Sequence, residues 1–233
     1  PAFRYFCKMT FYKFWLFTLS ILVILISIPH GRNVENMKFL LMSVLPLKYI
    51  FGIKVVVKGK ENLRTLKTFV LMLNHQTSLD IMSMCRCVPI AKKEILYMGT
   101  FGIACWLSGL IFIDRKKKEE SIITLTEVAH CLHKENVCIL IFPEGTRNHG
   151  DSMLPFKRGA FQQAVKAQVL IIPVVISSYR NFYNQKKRFT PAEDDLVQQI
   201  LPRVETVGLG PDNVPKLTEQ VHESMLTTCQ AIS

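Results

Sequence analysis

The hydrophobic pattern divides the chain into an uncharged apolar stretch near its start and a longer region of short apolar runs. The first stretch, FWLFTLSILVILISIPHG, covers residues 14–31 and contains no charged side chain. Its apolar part, Phe14–Ile28, would rise about 22 Å as a helix, which is less than the roughly 30 Å hydrocarbon core of a membrane. Because Lys13 can extend its ammonium toward the interface, the helix can begin earlier. The pattern therefore predicts a membrane-anchoring helix over about residues 11–31.

A cleaved signal peptide is the alternative interpretation of this stretch, because basic residues precede it. The sequence Ser-Ile-Pro-His that follows lacks a small-x-small cleavage site, so we favour a retained anchor. The next segment, about residues 37–52, is apolar but interrupted by two Lys and a Pro, which favours an interfacial helix. Lys and Arg are nearly balanced on the two flanks, and the orientation of the anchor stays open.

A second uncharged stretch, Tyr97–Ile113, is apolar enough to resemble a membrane span. Three Gly, a Ser and a Thr make it a poor spanning helix. We predict a short buried helix followed by a strand.

From about Ile53 onward, short apolar runs alternate with helical patterns. The runs predict strands at Ile53–Val57, Thr68–Leu73, Gly109–Ile113, Val137–Phe142 and Val169–Ile176, and one more near Gln199–Glu205. The helical patterns lie at Glu119–Lys134, after Gly159 and at Pro215–Ile232. Strands separated by helices predict an α/β fold, with a mostly parallel central sheet flanked by helices. The predicted organisation is a membrane anchor over residues 1–52 and one α/β domain over residues 53–233.

Composition and charge narrow the classes of function. Hydrophobic residues make up 49% of the chain and charged residues 20%, which excludes a disordered or fibrous protein. The 29 Lys and Arg against 18 Asp and Glu give a net charge of +11, which favours an anionic partner such as nucleic acid, acidic lipid or a phosphorylated metabolite. Seven Cys without a Cys-x-x-Cys pair argue against a disulfide framework or a zinc ribbon. The chain starts with Pro rather than Met, and we expect it to be a fragment.

Polar residues collect at the ends of three predicted strands. Residues 74–80 follow the second strand, Asp114 and Arg115 follow the third, and residues 143–147 follow the fourth. Ligands of open α/β sheets bind beyond the carboxyl ends of the strands. We therefore expect the three clusters to face one crevice.

His75 and Asp80 form a candidate acid–base pair. On one helix they would point to different faces, so they can meet only if His75 lies in the loop and Asp80 in the first helical turn after it. A carboxylate on one imidazole nitrogen orients the ring and leaves the other nitrogen free to accept a proton. A structural loop histidine beside a capping Asp is the alternative interpretation. No second His or Cys lies at ligand spacing, so no metal site is predicted.

The segment Glu144–Arg147 is a candidate anion-binding loop. Gly145 permits close approach of the backbone, Thr146 offers a hydroxyl, and Arg147 can bind phosphate in a bidentate fork. A solvated turn explains the segment equally well when it is taken alone.

Further candidate phosphate contacts are Arg115, at the neighbouring strand end, and Lys157 and Arg158, which precede a helix. Gly-x-Ser-x-Gly, Walker and dinucleotide-binding glycine patterns are absent from the sequence. A base without a protein nucleophile indicates that the substrate brings its own hydroxyl.

Four ordered blocks resemble those of the glycerolipid acyltransferases. They are Asn74-His75-x-x-x-x-Asp80, Gly109-x-x-Phe112-Ile113-Asp114-Arg115, Phe142-Pro143-Glu144-Gly145-Thr146-Arg147 and the strand around Pro173. The stretch FPEGTRNHGDSMLPFKRGAF is most similar to the animal 1-acyl-sn-glycerol-3-phosphate (lysophosphatidic acid) acyltransferases of the alpha/beta type.

The resemblance implies transfer of a fatty acyl group from acyl-CoA to the 2-hydroxyl of lysophosphatidic acid, giving phosphatidic acid at the endoplasmic reticulum membrane. It implies that His75 is the general base, that Asp80 orients it, and that Arg115 and Glu144–Arg147 bind the phosphate. It implies no metal or redox cofactor, and its partners are the two substrates and membrane lipid.

Three alternatives to this function remain. Within the same chemistry, the acceptor can be glycerol-3-phosphate or another lysophospholipid. In a different class, the chain can be a non-catalytic membrane lipid-binding protein. Nucleic-acid binding is disfavoured because the basic residues are not interleaved with aromatic residues in a recognition pattern.

Overall fold

The computed structural model describes residues 2–44, 53–63, 68–77, 80, 87–114, 138–148, 150, 152–179 and 194–233. Within these ranges the strands are β1 (Ile53–Lys58), β2 (Phe69–Leu73), β3 (Cys87–Lys92), β4 (Ile111–Ile113), β5 (Cys138–Ile141), β6 (Leu170–Ile176) and β7 (Asp194–Ile200). The α-helices are α1 (Ala2–Ser27), α2 (Met37–Val44), α3 (Gly99–Leu107), α4 (Arg158–Ala167) and α5 (Val214–Ile232). The predicted helix at 119–134 and the end of the predicted interfacial segment lie outside the described residues.

The chain divides into two compact units. One takes in the described residues within Pro1–Val55, Ile81–Asp114 and Ser178–Leu196, and contains α1, α2, α3, β3 and β4. The other takes in those within Val56–Asp80, Arg115–Ser177 and Val197–Ser233, and contains β2, β5, β6, α4 and α5. The boundary near residue 52 that the sequence predicts between anchor and catalytic domain stays a prediction.

Parallel strands form the centre of the second unit. β2 pairs with β5 on one side and β6 on the other, both in parallel, and Val70 is in register with Ile139 and Ile171. Every residue of β2 and β5 is buried, as is typical of parallel strands that are covered on both faces. In the first unit β3 and β4 are also parallel, whereas β7 runs antiparallel to β6. The prediction of an α/β fold with a mostly parallel sheet is confirmed.

Two amphipathic helices cover this part of the sheet. α4 buries Phe161, Ala164 and Val165 on one face, and it ends at Gln168, which adopts the left-handed conformation with φ 52°. α5 buries Leu217 and four further residues on its inner face. α5 packs against both α4 and β6, so its apolar face is buried between the sheet and the neighbouring helix.

Two strands differ from the sequence-based prediction. β7 begins at Asp194, five residues before the predicted start, and ends at Ile200. The N–H of Leu201 still donates to the carbonyl of Pro173, and beyond Pro202 an isolated bridge joins Val204 to Ile171. β3 was not predicted, because Pro89 at its centre argues against a strand in a sequence pattern.

The first unit contains the apolar N-terminal helix. α1 is longer than predicted at its start, and a 3-10 turn, Ile28–His30, follows its end. Thr10–His30 spans 21 residues with a mean hydropathy of 2.1, and it is the one segment of the described chain that is long and apolar enough to cross a membrane, judged by length and composition. Phe14, Phe17 and Leu25 are among its exposed side chains.

The apolar stretch Tyr97–Ile113 folds as predicted into a short helix, α3, and a strand, β4. One face of α3 packs against α1 and α2 in a cluster that contains Val23, Met37, Leu40, Ala104, Cys105 and Leu110. Ile103 and Trp106 on the helix remain exposed, so α3 is buried on one side only. The side-chain amide of Asn36 donates to the carbonyls of Gly31 and Leu107, at 2.8 and 2.9 Å, and joins the α1–α2 turn to α3.

We expect Cys105 to react slowly in the native protein. Its burial in this cluster raises the pKa of its thiol to about 12, so little thiolate forms near neutral pH. Timed maleimide labelling with peptide mass spectrometry should show Cys105 reacting far more slowly than the exposed Cys7, with similar rates after denaturation. Equal rates in the native protein would show that α1 and α2 do not enclose Cys105.

Candidate active site

His75 and Asp80 meet in the loop that follows β2. The imidazole Nδ1 lies 2.8 Å from the Asp80 Oδ2, and the same oxygen accepts the backbone N–H groups of Gln76 and Thr77 at 2.7 and 3.0 Å. Because the ionised carboxylate can only accept, this bond assigns the proton to Nδ1 and leaves Nε2 as the accepting nitrogen. Asp80 is 1% exposed, and the His75 side chain is 20% exposed. The pair therefore has an enclosed carboxylate and an imidazole that reaches solvent.

An aromatic ring fixes the face of the imidazole. Phe142, directly after β5, stacks on His75 with ring centroids 4.0 Å apart and planes inclined by 23°. The carboxylate of Asp80 and the ring of Phe142 thus restrain two different rotations of the imidazole. The contact between Phe142 and His75 was not predicted from the sequence.

Asn74 anchors the start of the loop to strand β6. Its side-chain oxygen accepts the N–H of Ile176 at 2.8 Å, and its side-chain nitrogen donates to the Ile176 carbonyl at 3.0 Å. The side chain of Gln76 donates to the carbonyls of Ile176 and Ser177 at 2.9 and 3.1 Å. Amide side chains thus take the place of a continuing strand ladder just beyond the carboxyl end of β2.

Glu144 connects this loop to the segment that follows β5. It is 3% exposed, and its Oε1 accepts the backbone N–H of His75 at 2.8 Å. Its Oε2 accepts the backbone N–H of Leu154 at 3.0 Å. The N–H of Asn148 donates to the carbonyl of His75 at 2.8 Å. The structure therefore brings the first and third polar clusters together.

Gly145 turns the chain outward after Glu144. Its N–H donates to the carbonyl of Phe142 at 3.0 Å, and it has φ +71°, which favours glycine. A Cβ added there would lie 2.6 Å from Nζ of Lys157. Thr146 and Arg147, which follow, are exposed.

The further candidate phosphate contacts that the structure describes, Lys157 and Arg158, lie in different settings. Lys157 is exposed, its N–H donates to the carbonyl of Pro143 at 2.9 Å, and its side chain lies over Gly145. Arg158 is the exposed first residue of α4. Arg115 lies outside the described residues. The structure thus brings Lys157 to the Glu144–Arg147 loop.

The C-terminal helix α5 also approaches this region. His222 packs edge-on against Phe156 with ring centroids 4.6 Å apart, so it is a packing residue. Burial raises the pKa of the Cys229 thiol, and the negative charge of Glu144 raises this pKa further. The hydrogen bond with Ser233 lowers the same pKa but does not outweigh the burial. Among the described residues, no three His, Cys, Asp or Glu side chains gather into a group that could hold a metal ion.

Comparison with known proteins identifies the family. A family model described as Acyltransferase matches residues 54–177. Over 239 aligned residues the chain is 49% identical to 1-acyl-sn-glycerol-3-phosphate acyltransferase alpha of Homo sapiens, covering 100% of this chain and 84% of the human protein. The chain belongs to the acyltransferase family.

A second relative and a solved structure are also similar to almost the whole of this chain. The beta form of Homo sapiens is 37% identical and covers 100% of this chain and 86% of that protein. A crystal structure of the 1-acyl-sn-glycerophosphate (LPA) acyltransferase PlsC from Thermotoga maritima superposes with a TM-score of 0.69 at 22% identity, and covers 99% of this chain and 95% of that one. At that identity the superposition shows the shared fold.

We expect Asn74→Ala to destabilise the protein, because it leaves the buried N–H of Ile176 without its acceptor. An unsatisfied buried donor costs about 1–3 kcal/mol. Unfolding in detergent micelles measures the loss, with the exposed Gln220→Ala on α5 as the control, for which we expect less than about 0.5 kcal/mol. Equal stability of the two variants would show that the bond between Asn74 and Ile176 does not hold the loop.

Proposed function

We propose that this protein transfers a fatty acyl group from acyl-CoA to the 2-hydroxyl of lysophosphatidic acid, producing phosphatidic acid and free CoA. The observation that carries the proposal is the His75–Asp80 pair, which lies one hydrogen bond away from the Glu144–Arg147 loop. The relatives are named 1-acyl-sn-glycerol-3-phosphate acyltransferases, which supports lysophosphatidic acid as the acceptor.

His75 would act as a general base in one addition and one elimination. Nε2 takes the proton of the 2-hydroxyl as that oxygen forms a bond to the thioester carbonyl carbon, and the carboxylate of Asp80 stabilises the resulting imidazolium. The carbon–sulfur bond then breaks, the ester carbonyl re-forms, and the imidazolium returns its proton to the departing CoA sulfur. No acyl group is attached to the protein at any step.

The phosphate of the acceptor would bind at the exposed cations beside Gly145. Arg147 can grip two phosphate oxygens, Thr146 can donate its hydroxyl, and Lys157 adds a second positive charge next to the turn. We include Arg115 and Arg158 as further cations of this site, as the sequence indicates.

We also propose that the protein acts at the endoplasmic reticulum membrane. The apolar segment Thr10–His30 supports membrane attachment, and the net charge of +11 favours contact with anionic lipid. Both would keep the site near an acceptor that resides in the membrane.

An assay with radiolabelled acyl-CoA over a panel of acceptors tests this function. We expect label to enter phosphatidic acid with lysophosphatidic acid as acceptor, and much less label to enter product with glycerol-3-phosphate or other lysophospholipids. We expect His75→Ala to lower kcat about 10² to 10⁴-fold without loss of the fold, because the general base is removed.

The control for His75→Ala is His30→Ala, an exposed residue after α1 that we expect to keep wild-type activity. Full activity of a folded His75→Ala variant would refute the role of the base. Binding of lysophosphatidic acid without any product would favour a non-catalytic lipid-binding protein.

We expect Arg147→Ala to raise the KM for lysophosphatidic acid about tenfold to hundredfold, because a charge-assisted hydrogen bond to phosphate is lost. The effect on kcat should be smaller. Arg203→Ala is the matched control, since Arg203 is exposed and pairs with Glu205. An unchanged KM in Arg147→Ala would place the phosphate elsewhere.

A further inference from the structure

The carboxylate of Glu144 faces the protein, while its neighbours in the loop face solvent. Glu144 is 3% exposed, whereas Thr146 and Arg147 are exposed. Both of its oxygens accept backbone N–H groups, from His75 at 2.8 Å and from Leu154 at 3.0 Å. A buried carboxylate is costly unless donors satisfy it, and here two separate loops supply them.

This setting makes Glu144 a poor ligand for the acceptor's phosphate. A phosphate oxygen beside the carboxylate would bring two negative charges together in a partly desolvated place. The cations that suit a phosphate, Arg147 and Lys157, lie on the exposed side of the turn. The geometry thus separates Glu144 from the phosphate-binding part of its own loop.

The contacts of His75 show what Glu144 does instead. The backbone of His75 is held at its N–H by Glu144 and at its carbonyl by the N–H of Asn148, at 2.8 Å each. The ring of His75 is held at Nδ1 by Asp80 and on its face by Phe142. Three of these four contacts come from the segment that follows β5, so this segment and Asp80 together determine where Nε2 points.

We propose that Glu144 is a positioning residue for the His75 base, acting through the backbone of His75, with Phe142 acting on the ring. This inference rests on the proposed function, in which Nε2 must lie close to the 2-hydroxyl of the acceptor. A displacement of about 1 Å at a reacting group can lower a rate about 10²-fold.

Glu144→Gln tests the proposal at constant side-chain size. The amide keeps one accepting oxygen, but its NH₂ group faces a backbone N–H, so His75 or Leu154 loses its acceptor. We expect kcat to fall about 10²-fold with the KM for lysophosphatidic acid within about twofold of wild type. The control is Glu219→Gln, an exposed position on α5, which should change neither constant. A raised KM with an unchanged kcat would overturn the proposal and make Glu144 a substrate ligand.

A double-mutant cycle with His75→Ala separates positioning from a general loss of structure. In the His75→Ala background, Glu144→Gln should lower kcat much less than in wild type, because the base that Glu144 positions is gone. An equal fractional loss in both backgrounds would overturn the proposal. Phe142→Leu should behave in the same way, with kcat reduced in wild type and little changed in His75→Ala.

Hydrogen exchange provides a readout that does not depend on activity. Glu144→Gln should speed amide exchange in peptides covering residues 74–77 and leave that of α5 unchanged. If the wild-type protein forms no phosphatidic acid, the proposed function is refuted. The amide exchange rates of residues 74–77 in Glu144→Gln would then still test whether Glu144 holds the loop. Unchanged exchange at residues 74–77 in Glu144→Gln would overturn the inference, whatever the activity of the wild type.

Discussion

The parallel pairing of β2 with β5 is the constraint on which the candidate site depends. Leu71 and Leu140 are in register, so both strands end at the same edge of the sheet, and the residues after them emerge side by side. Both strands are fully buried, and polar groups gather beyond their carboxyl ends, where the ligands of open α/β sheets bind. His75 and Glu144 are 69 positions apart in sequence, yet this pairing places them within one hydrogen bond.

β6 completes the edge from the other side of β2. Leu73 pairs with Val174, and one step further the side chain of Asn74 makes with Ile176 the two bonds that a strand backbone would otherwise make. Because the side chain of Asn74 makes these bonds, the backbone can leave the sheet at this point while the start of the loop stays attached to β6. The chain after β2 is thus anchored to β6 through Asn74 and to the segment after β5 through the backbone of His75. His75 therefore has a defined position although it lies in a loop.

The sequence predicted the strands that carry the site because their apolar runs are short, continuous and rich in branched residues. It also predicted the His75–Asp80 contact, since only a loop position for the histidine lets the two side chains meet. It did not predict the buried face of the Glu144–Arg147 loop. A Glu beside an Arg in a turn has the same sequence signature whether its carboxylate points at ligand or at backbone, and the deciding partners, the N–H groups of His75 and Leu154, carry no side-chain signature. The stacking of Phe142 on His75 was also not predicted. Contact between residues that are distant in sequence depends on how the strands pair, and a local sequence pattern does not show this pairing.

The conformation of Gly145 explains how the segment Glu144–Arg147 can contain both a buried carboxylate and exposed polar side chains. Glu144 precedes a residue with φ +71°, and Thr146 follows it, so the chain reverses its exposure between them. An L side chain at Gly145 would be strained by that φ and would also meet the side chain of Lys157. In an extended chain Glu144 and Thr146, two positions apart, would point to the same face, whereas the turn at Gly145 lets the first be buried and the second exposed. The turn therefore separates opposite charges by direction: the carboxylate of Glu144 is directed to the backbone of His75, and Arg147 lies on the exposed side, where the proposed function needs a cation for the phosphate of the acceptor.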